Sequence, residues 1–196
     1  MSPTLVLAST STYRRELLAR LQLPFDVARP DVDETPLPGE RAEQTALRLA
    51  EAKARAVAPR FPGSLIIGSD QVALLDGEQL GKPGHHAAAV AQLQKMRGRR
   101  VVFHTALALL DSRSGIAEVV DVPYEVQLRT YSDQLIERYL RAEQPYDCAG
   151  SAKTEGLGVA LIEWMRGDDP SALVGLPLMA LTTLLQRAGL PPLGVI

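Results

Sequence analysis

Short apolar runs alternate along this chain with longer stretches in which apolar residues recur every three or four positions. Leu5-Val6-Leu7-Ala8 is an uninterrupted apolar run and predicts a short buried strand. The hydroxyl-rich Ser9-Thr10-Ser11-Thr12 offers N-caps for a helix over Thr12–Leu21, whose Leu17, Leu18 and Leu21 share one face. Phe25–Ala28 reads as a second strand. Pro30–Gly39, with three prolines and three acids, reads as a loop. Good helix formers fill Arg41–Val57. Leu65–Gly68 reads as a buried strand that ends at Ser69-Asp70 and resumes over Val72–Leu75, with Asp76-Gly77 as a hairpin turn. A helix over His86–Met96 precedes two long strands, Val101–Leu110 and Ala117–Leu128, joined by Asp111–Gly115. Ser132 caps a helix reaching Glu143, Gly158–Trp164 reads as a strand, and Leu178–Ala188 is a last helix stopped by Gly189. The order βαβαββαββαβα, with at least two hairpins, predicts an α/β fold: a mixed sheet flanked by helices.

Composition narrows the class. With 196 residues, 46% of them hydrophobic and 22% charged, the chain is expected to form one globular domain over 1–196. A net charge of −2 gives no broad electrostatic footprint for a nucleic-acid polymer. Anionic ligands must then be held by a local pocket. One cysteine, Cys148, precludes an intrachain disulfide and fits a reducing compartment. The Leu5–Ala8 run is too short for a signal core, and no apolar stretch approaches a membrane span. A soluble cytoplasmic protein is the expectation.

Four segments carry candidate chemistry. Ser9–Arg15 couples a strand end to a helix start, where free N–H groups, hydroxyls and the guanidinium of Arg14 or Arg15 suit phosphate oxygens. Read alone, it is more simply an N-cap with surface arginines. It lacks the Gly-Lys-Ser/Thr ending of a P-loop. Asp31-Val32-Asp33-Glu34 offers carboxylates to Mg²⁺, or is a solvated acidic loop. Asp70, placed after an apolar strand, suits metal ligation or water activation, or serves as a turn residue. In Cys148–Gly158, three glycines allow a ligand close to the backbone around Glu155, or the segment simply feeds the next strand. Lys53 and Lys82 each read alone as solvated lysines, although Lys82 is fixed between Gly81 and Pro83. His85, His86 and His104 lack partners at zinc-ligand spacing.

Together these segments resemble the Maf family of nucleotide pyrophosphatases. Leu7-Ala8-Ser9-Thr10-Ser11-Thr12-Tyr13-Arg14 looks like the family's opening signature, with Thr12 where proline is usual. Val32-Asp33-Glu34, Leu49–Ala54, Ile67–Asp70, Gly81-Lys82-Pro83 and Gly175-Leu176-Pro177 follow in order. Gln71 and Glu155 resemble the branch acting on 7-methyl-GTP, where the dTTP/UTP branch usually has Thr and Gln.

The resemblance implies hydrolysis of a modified nucleoside triphosphate to monophosphate and pyrophosphate, as a house-cleaning activity, with a divalent cation, Mg²⁺ or Mn²⁺. It implies an elongated, two-lobed molecule with a cleft, similar to inosine triphosphate pyrophosphatases, and a homodimer is a reasonable expectation. Under it, Ser11, Arg14, Lys53 and Lys82 bind phosphates, Glu34 and Asp70 hold the metal, and Asp70 is the catalytic proton acceptor. Tyr13, Gln71 and Glu155 select the base. The alternatives are a dTTP/UTP or damaged-purine pyrophosphatase and a non-catalytic nucleotide-binding regulator of cell division.

Overall fold

A computed structural model describes residues 3–194. Its elements are β1 (Leu5–Ala8), α1 (Thr12–Ala19), β2 (Phe25–Ala28), α2 (Ala42–Val57), β3 (Leu65–Leu75), β4 (Glu78–Leu80), α3 (His86–Met96), β5 (Arg100–Asp111), β6 (Ile116–Leu128), α4 (Asp133–Glu143), β7 (Ile162–Arg166) and α5 (Leu178–Arg187). This is the order expected from the sequence. The sheet runs β2-β1-β3-β5-β6-β7, with β4 also on β3. β1 is parallel to β2 and β3, whereas β3–β4 and β6–β7 are antiparallel, so the sheet is mixed.

Two expectations are corrected. Asp70 does not follow a strand end: β3 continues through Gly68-Ser69-Asp70. The ladder with β1 covers Leu65–Ile67 and that with β4 covers Ala73–Leu75, so pairing at both ends overrides the local turn preference of Ser-Asp. The last strand starts at Ile162, because Leu157–Leu161 forms a 3₁₀ turn. Gly158 lies so close to the Lys153 backbone that a Cβ would meet the Lys153 carbonyl oxygen at 2.4 Å.

The chain divides into two compact units. The first comprises Met1–Asp70, Thr105–Val122 and Asp169–Ile196, and it is a helix–sheet–helix sandwich. Alternation along β1 sends Leu5 and Leu7 into a core with Leu17 and Leu18 of α1 and Leu181, Leu184 and Leu185 of α5. Val6 and Ala8 enter a second core with Ala54 and Val57 of α2. The second unit comprises Gln71–His104 and Pro123–Asp168, in which α3 packs on α4. Asp76 and Gly77, both with positive φ, form its tight β3–β4 turn.

One contact in the first unit sets the position of α2. A Cβ on Gly68 would lie 2.0 Å from the Ala50 carbonyl oxygen and 3.0 Å from the Ala54 nitrogen. Ala46, Ala50 and Ala54 recur every fourth residue and are fully buried, so α2 presents bare backbone to β3. Substituting Gly68→Ala must push the helix away, at a cost of about 3 kcal/mol. Urea unfolding of the variant is expected to show that loss; a change under about 1 kcal/mol would mean the helix is not seated on Gly68.

Candidate active site

The close seating of α2 carries Lys53 to β3. Leu49, Ala50, Lys53, Ala54 and Val57 form the buried stripe of α2, so Lys53 occupies a core position and not the solvated one expected. Lys53 as a residue is 5% exposed, and Asp70 is 8% exposed. The Lys53 ammonium donates to Asp70 Oδ1 at 2.6 Å and meets Glu34 Oε1 at 2.7 Å. A buried ammonium needs such partners, because an unpaired charge in this setting costs several kcal/mol.

The Ser9–Arg15 segment is built beside it. Ser11 caps α1: its Oγ accepts from the Arg14 N–H at 3.3 Å, and the Ser11 N–H donates to Ser9 Oγ at 3.1 Å. Thr12 stands at the first helical position, where proline is also favoured, and the Ser11 cap forms with Thr12 there. The Arg14 Nε donates to the Gly175 carbonyl at 2.8 Å, and Ser69 Oγ donates to the same oxygen at 2.9 Å. Desolvation lowers the Arg14 pKa, while the charges of Asp70 and Glu34 oppose that shift. Arg14 stays charged in any case. Two cations, two carboxylates and the hydroxyls of this turn are thus gathered in one unit, a set suited to a polyanion and to moving a proton.

Three supports have no role assigned from sequence, although Gly175 stands in one of the blocks that carry the resemblance. Gly175, at φ +114°, presents the shared carbonyl in a conformation that favours glycine. Asp169, 3% exposed, straps the segment before it. Its carboxylate accepts from Ser171 N at 3.1 Å, Ser171 Oγ at 2.5 Å and Met179 N at 2.7 Å, so it also caps α5, where Pro177 has no capping side chain. The acidic loop is fixed from α2: Arg48 forks onto Glu40 with contacts of 2.6 and 2.7 Å, and its Nη2 also donates to the Thr35 carbonyl. Within that loop the Asp33 carboxylate accepts from Thr35 N, so Asp33 shapes the turn while Glu34 reaches Lys53.

The remaining residues singled out from sequence sit elsewhere. Tyr13 is partly buried on α1. Gln71, Lys82 and Glu155 belong to the second unit: Gln71 is partly buried in β3, Lys82 is exposed between β4 and α3, and Glu155 is exposed on a turn after Lys153. Among the described residues no group of three His, Cys, Asp or Glu forms a ready metal site. Glu34 and Asp70 converge on one ammonium and supply only oxygen. That donor set fits Mg²⁺, which takes one or two carboxylates and completes its shell with phosphate and water.

A family model for Maf-like proteins matches residues 4–188. The chain belongs to the Maf family. Among its Maf relatives, a "7-methyl-GTP pyrophosphatase" of Thiobacillus denitrificans is 63% identical over 96% of this chain and 94% of that protein. Proteins of the same name from Paraburkholderia xenovorans (63%; 98% of this chain, 95% of that protein) and Cupriavidus metallidurans (59%; 98% and 96%) match as fully. A solved structure, the Staphylococcus aureus Ham1 protein, aligns with a TM-score of 0.45 at 18% identity over 64% of this chain and 71% of that chain.

The Glu40–Arg48 fork makes the loop of this Maf protein acid-sensitive. The Arg48 hydrogen bonds, then that from Leu37 N, hold the Glu40 carboxyl down at about 2 from its ordinary 4.5. A lowered folded pKa contributes stability that is whole above 4.5 and is lost as pH falls toward 2. Glu40→Gln is therefore expected to flatten the stability–pH curve across that window, measured by urea midpoints. An unchanged slope would remove Glu40 as its source.

Proposed function

We propose that this protein hydrolyses 7-methyl-GTP to 7-methyl-GMP and pyrophosphate. The observation that carries the reading is the Lys53 ammonium shared by Asp70 and Glu34 beside the Arg14 turn, in a chain about three-fifths identical to relatives of that name. A triphosphate brings about four negative charges, which require several cations. Ser11, Arg14, Lys53 and Lys82 bind its oxygens. Asp70 takes a proton from the water that attacks the α-phosphorus, the bond from that phosphorus to the bridging oxygen breaks, and pyrophosphate leaves with the electron pair. Glu34 and Asp70 would hold Mg²⁺, which supplies charge neutralisation on the phosphates.

Base choice follows from hydrogen-bond chemistry. Guanine offers N1–H and N2–H₂ donors, which an acceptor-only carboxylate such as Glu155 takes together. Uracil and thymine present acceptor, donor, acceptor and suit an amide. Methylation at N7 makes the purine cationic, which favours Glu155 and the aromatic face of Tyr13. Gln71 completes the selection. The enzyme acts on free nucleotides in the cytoplasm, as a homodimer; a net charge of −2 supports the absence of a nucleic-acid partner. No helix among the described residues is long and apolar enough to cross a membrane.

Pyrophosphate release from 7-methyl-GTP, GTP, dTTP, UTP and ITP, with and without Mg²⁺, tests this reading. Turnover is expected to need Mg²⁺ and to be led by 7-methyl-GTP. Asp70→Asn is expected to lower kcat by about 10²–10⁴-fold, and Glu155→Gln to erode the preference for the methylated purine. Near-wild-type turnover in the Asp70 variant, or a pyrimidine as best substrate, would contradict it.

A further inference from the structure

The second unit contains a hydrogen-bonded bridge that the reaction scheme above leaves unused. Gln92 of α3 has both ends of its side-chain amide engaged. Its Nε2 donates to the Gly81 carbonyl at 2.7 Å, one residue before Lys82, and its Oε1 accepts from Ser151 Oγ at 2.5 Å. The two bonds fix which end of the amide is which, since a carbonyl takes a donor and a hydroxyl hydrogen takes an acceptor.

Ser151 is not a casual partner. It is fully buried and stands at φ +56°, directly after Gly150 at φ +72°. A buried non-glycine residue in the left-handed region is strained, and its surroundings must hold it there. Its carbonyl accepts from the Tyr139 hydroxyl at 3.0 Å, and that hydroxyl accepts from Lys153 N at 2.9 Å. The Lys153 carbonyl then receives the N–H groups of Gly156 and Gly158, each at 3.1 Å, which closes the turn bearing Glu155. Glu143 of α4 pins both shoulders of that turn, at Lys153 Nζ (2.9 Å) and Leu157 N (2.8 Å). Gly156 packs so tightly there that a Cβ would lie 2.6 Å from the Glu143 carboxylate.

We propose that Gln92 and Ser151 are positioning residues that fix the span between Lys82 and the Glu155 turn, and so set base selection for a substrate whose phosphates are held. This rests on the assignment of Lys82 to phosphate and Glu155 to the base. Neither residue touches substrate; each acts through the backbone it holds. The strain at Ser151 is maintained because glycine, which would relieve it, cannot hold the Gln92 amide.

Kinetics on 7-methyl-GTP and UTP, with thermal unfolding, test the bridge in Gln92→Glu, Ser151→Gly, their double variant and Glu155→Gln. Gln92→Glu keeps an acceptor for Ser151 but faces the Gly81 carbonyl without a donor. Ser151→Gly removes the hydroxyl and suits the left-handed backbone, so its Tm is expected to match or exceed wild type. Each single variant is expected to lower the 7-methyl-GTP to UTP ratio of kcat/KM by about tenfold, mainly through KM. The double variant is expected to lose no more than the larger single, because one bridge is broken once. An unchanged ratio in Ser151→Gly, while Glu155→Gln does shift it, overturns the bridge alone. An unchanged ratio in Glu155→Gln overturns the base assignment, and the bridge with it. If Gln92→Glu fails to fold, Ser151→Gly decides the matter by itself.

Discussion

The first unit depends on how near α2 comes to β3. At Gly68 the helix backbone and the strand are separated by less than a side chain. The alanines at positions 46, 50 and 54 permit this approach, and Lys53 is the residue they bring with them. An ammonium on the buried stripe of a helix would be ruinous unless compensated. Asp70 and Glu34 provide that compensation at 2.6 and 2.7 Å. The packing contact and the charged centre are thus one construction: the strand needs a glycine where the helix crosses it and a carboxylate two residues later.

Around that centre, the supporting residues serve mainly to aim backbone. Asp169 gathers N–H groups from both sides of the segment containing Gly175, and the Gly175 carbonyl receives Arg14 and Ser69. Arg48 and Glu40 fix the loop whose next-door residue, Glu34, completes the pairing of Lys53. In the second unit Gln92, Ser151 and Tyr139 do the same for the segments of Lys82 and Glu155.

Periodicity made the order of strands and helices legible, because the cores on both faces of β1 are apolar in the pattern that helices and strands require. Ser11 as a cap and the Asp76-Gly77 turn were legible for the same reason: their chemistry is local. Asp70 is legible as a candidate but not its place within β3, since the ladder that aligns the first half of the strand comes from β1, distant in sequence, and the second half pairs with β4. Lys53 reads as solvated when taken alone, although its spacing with Leu49, Ala50, Ala54 and Val57 is that of the buried stripe. The Gly175 carbonyl has no side chain to betray it, and Asp169, Arg48 and Gln92 act through contacts between separate segments. Family likeness therefore pointed to Lys53, Asp70 and Glu34, and geometry showed their pairing and the contacts that hold it.

The most direct test of the account is the fate of the attacking oxygen. Hydrolysis of 7-methyl-GTP in ¹⁸O-water, followed by mass spectrometry of the products, shows which phosphorus is struck. Attack at the α-phosphorus places the label in 7-methyl-GMP and leaves pyrophosphate unlabelled, as the charged centre at Lys53, Asp70 and Glu34 predicts. Label in pyrophosphate, or release of inorganic phosphate with 7-methyl-GDP, would contradict it.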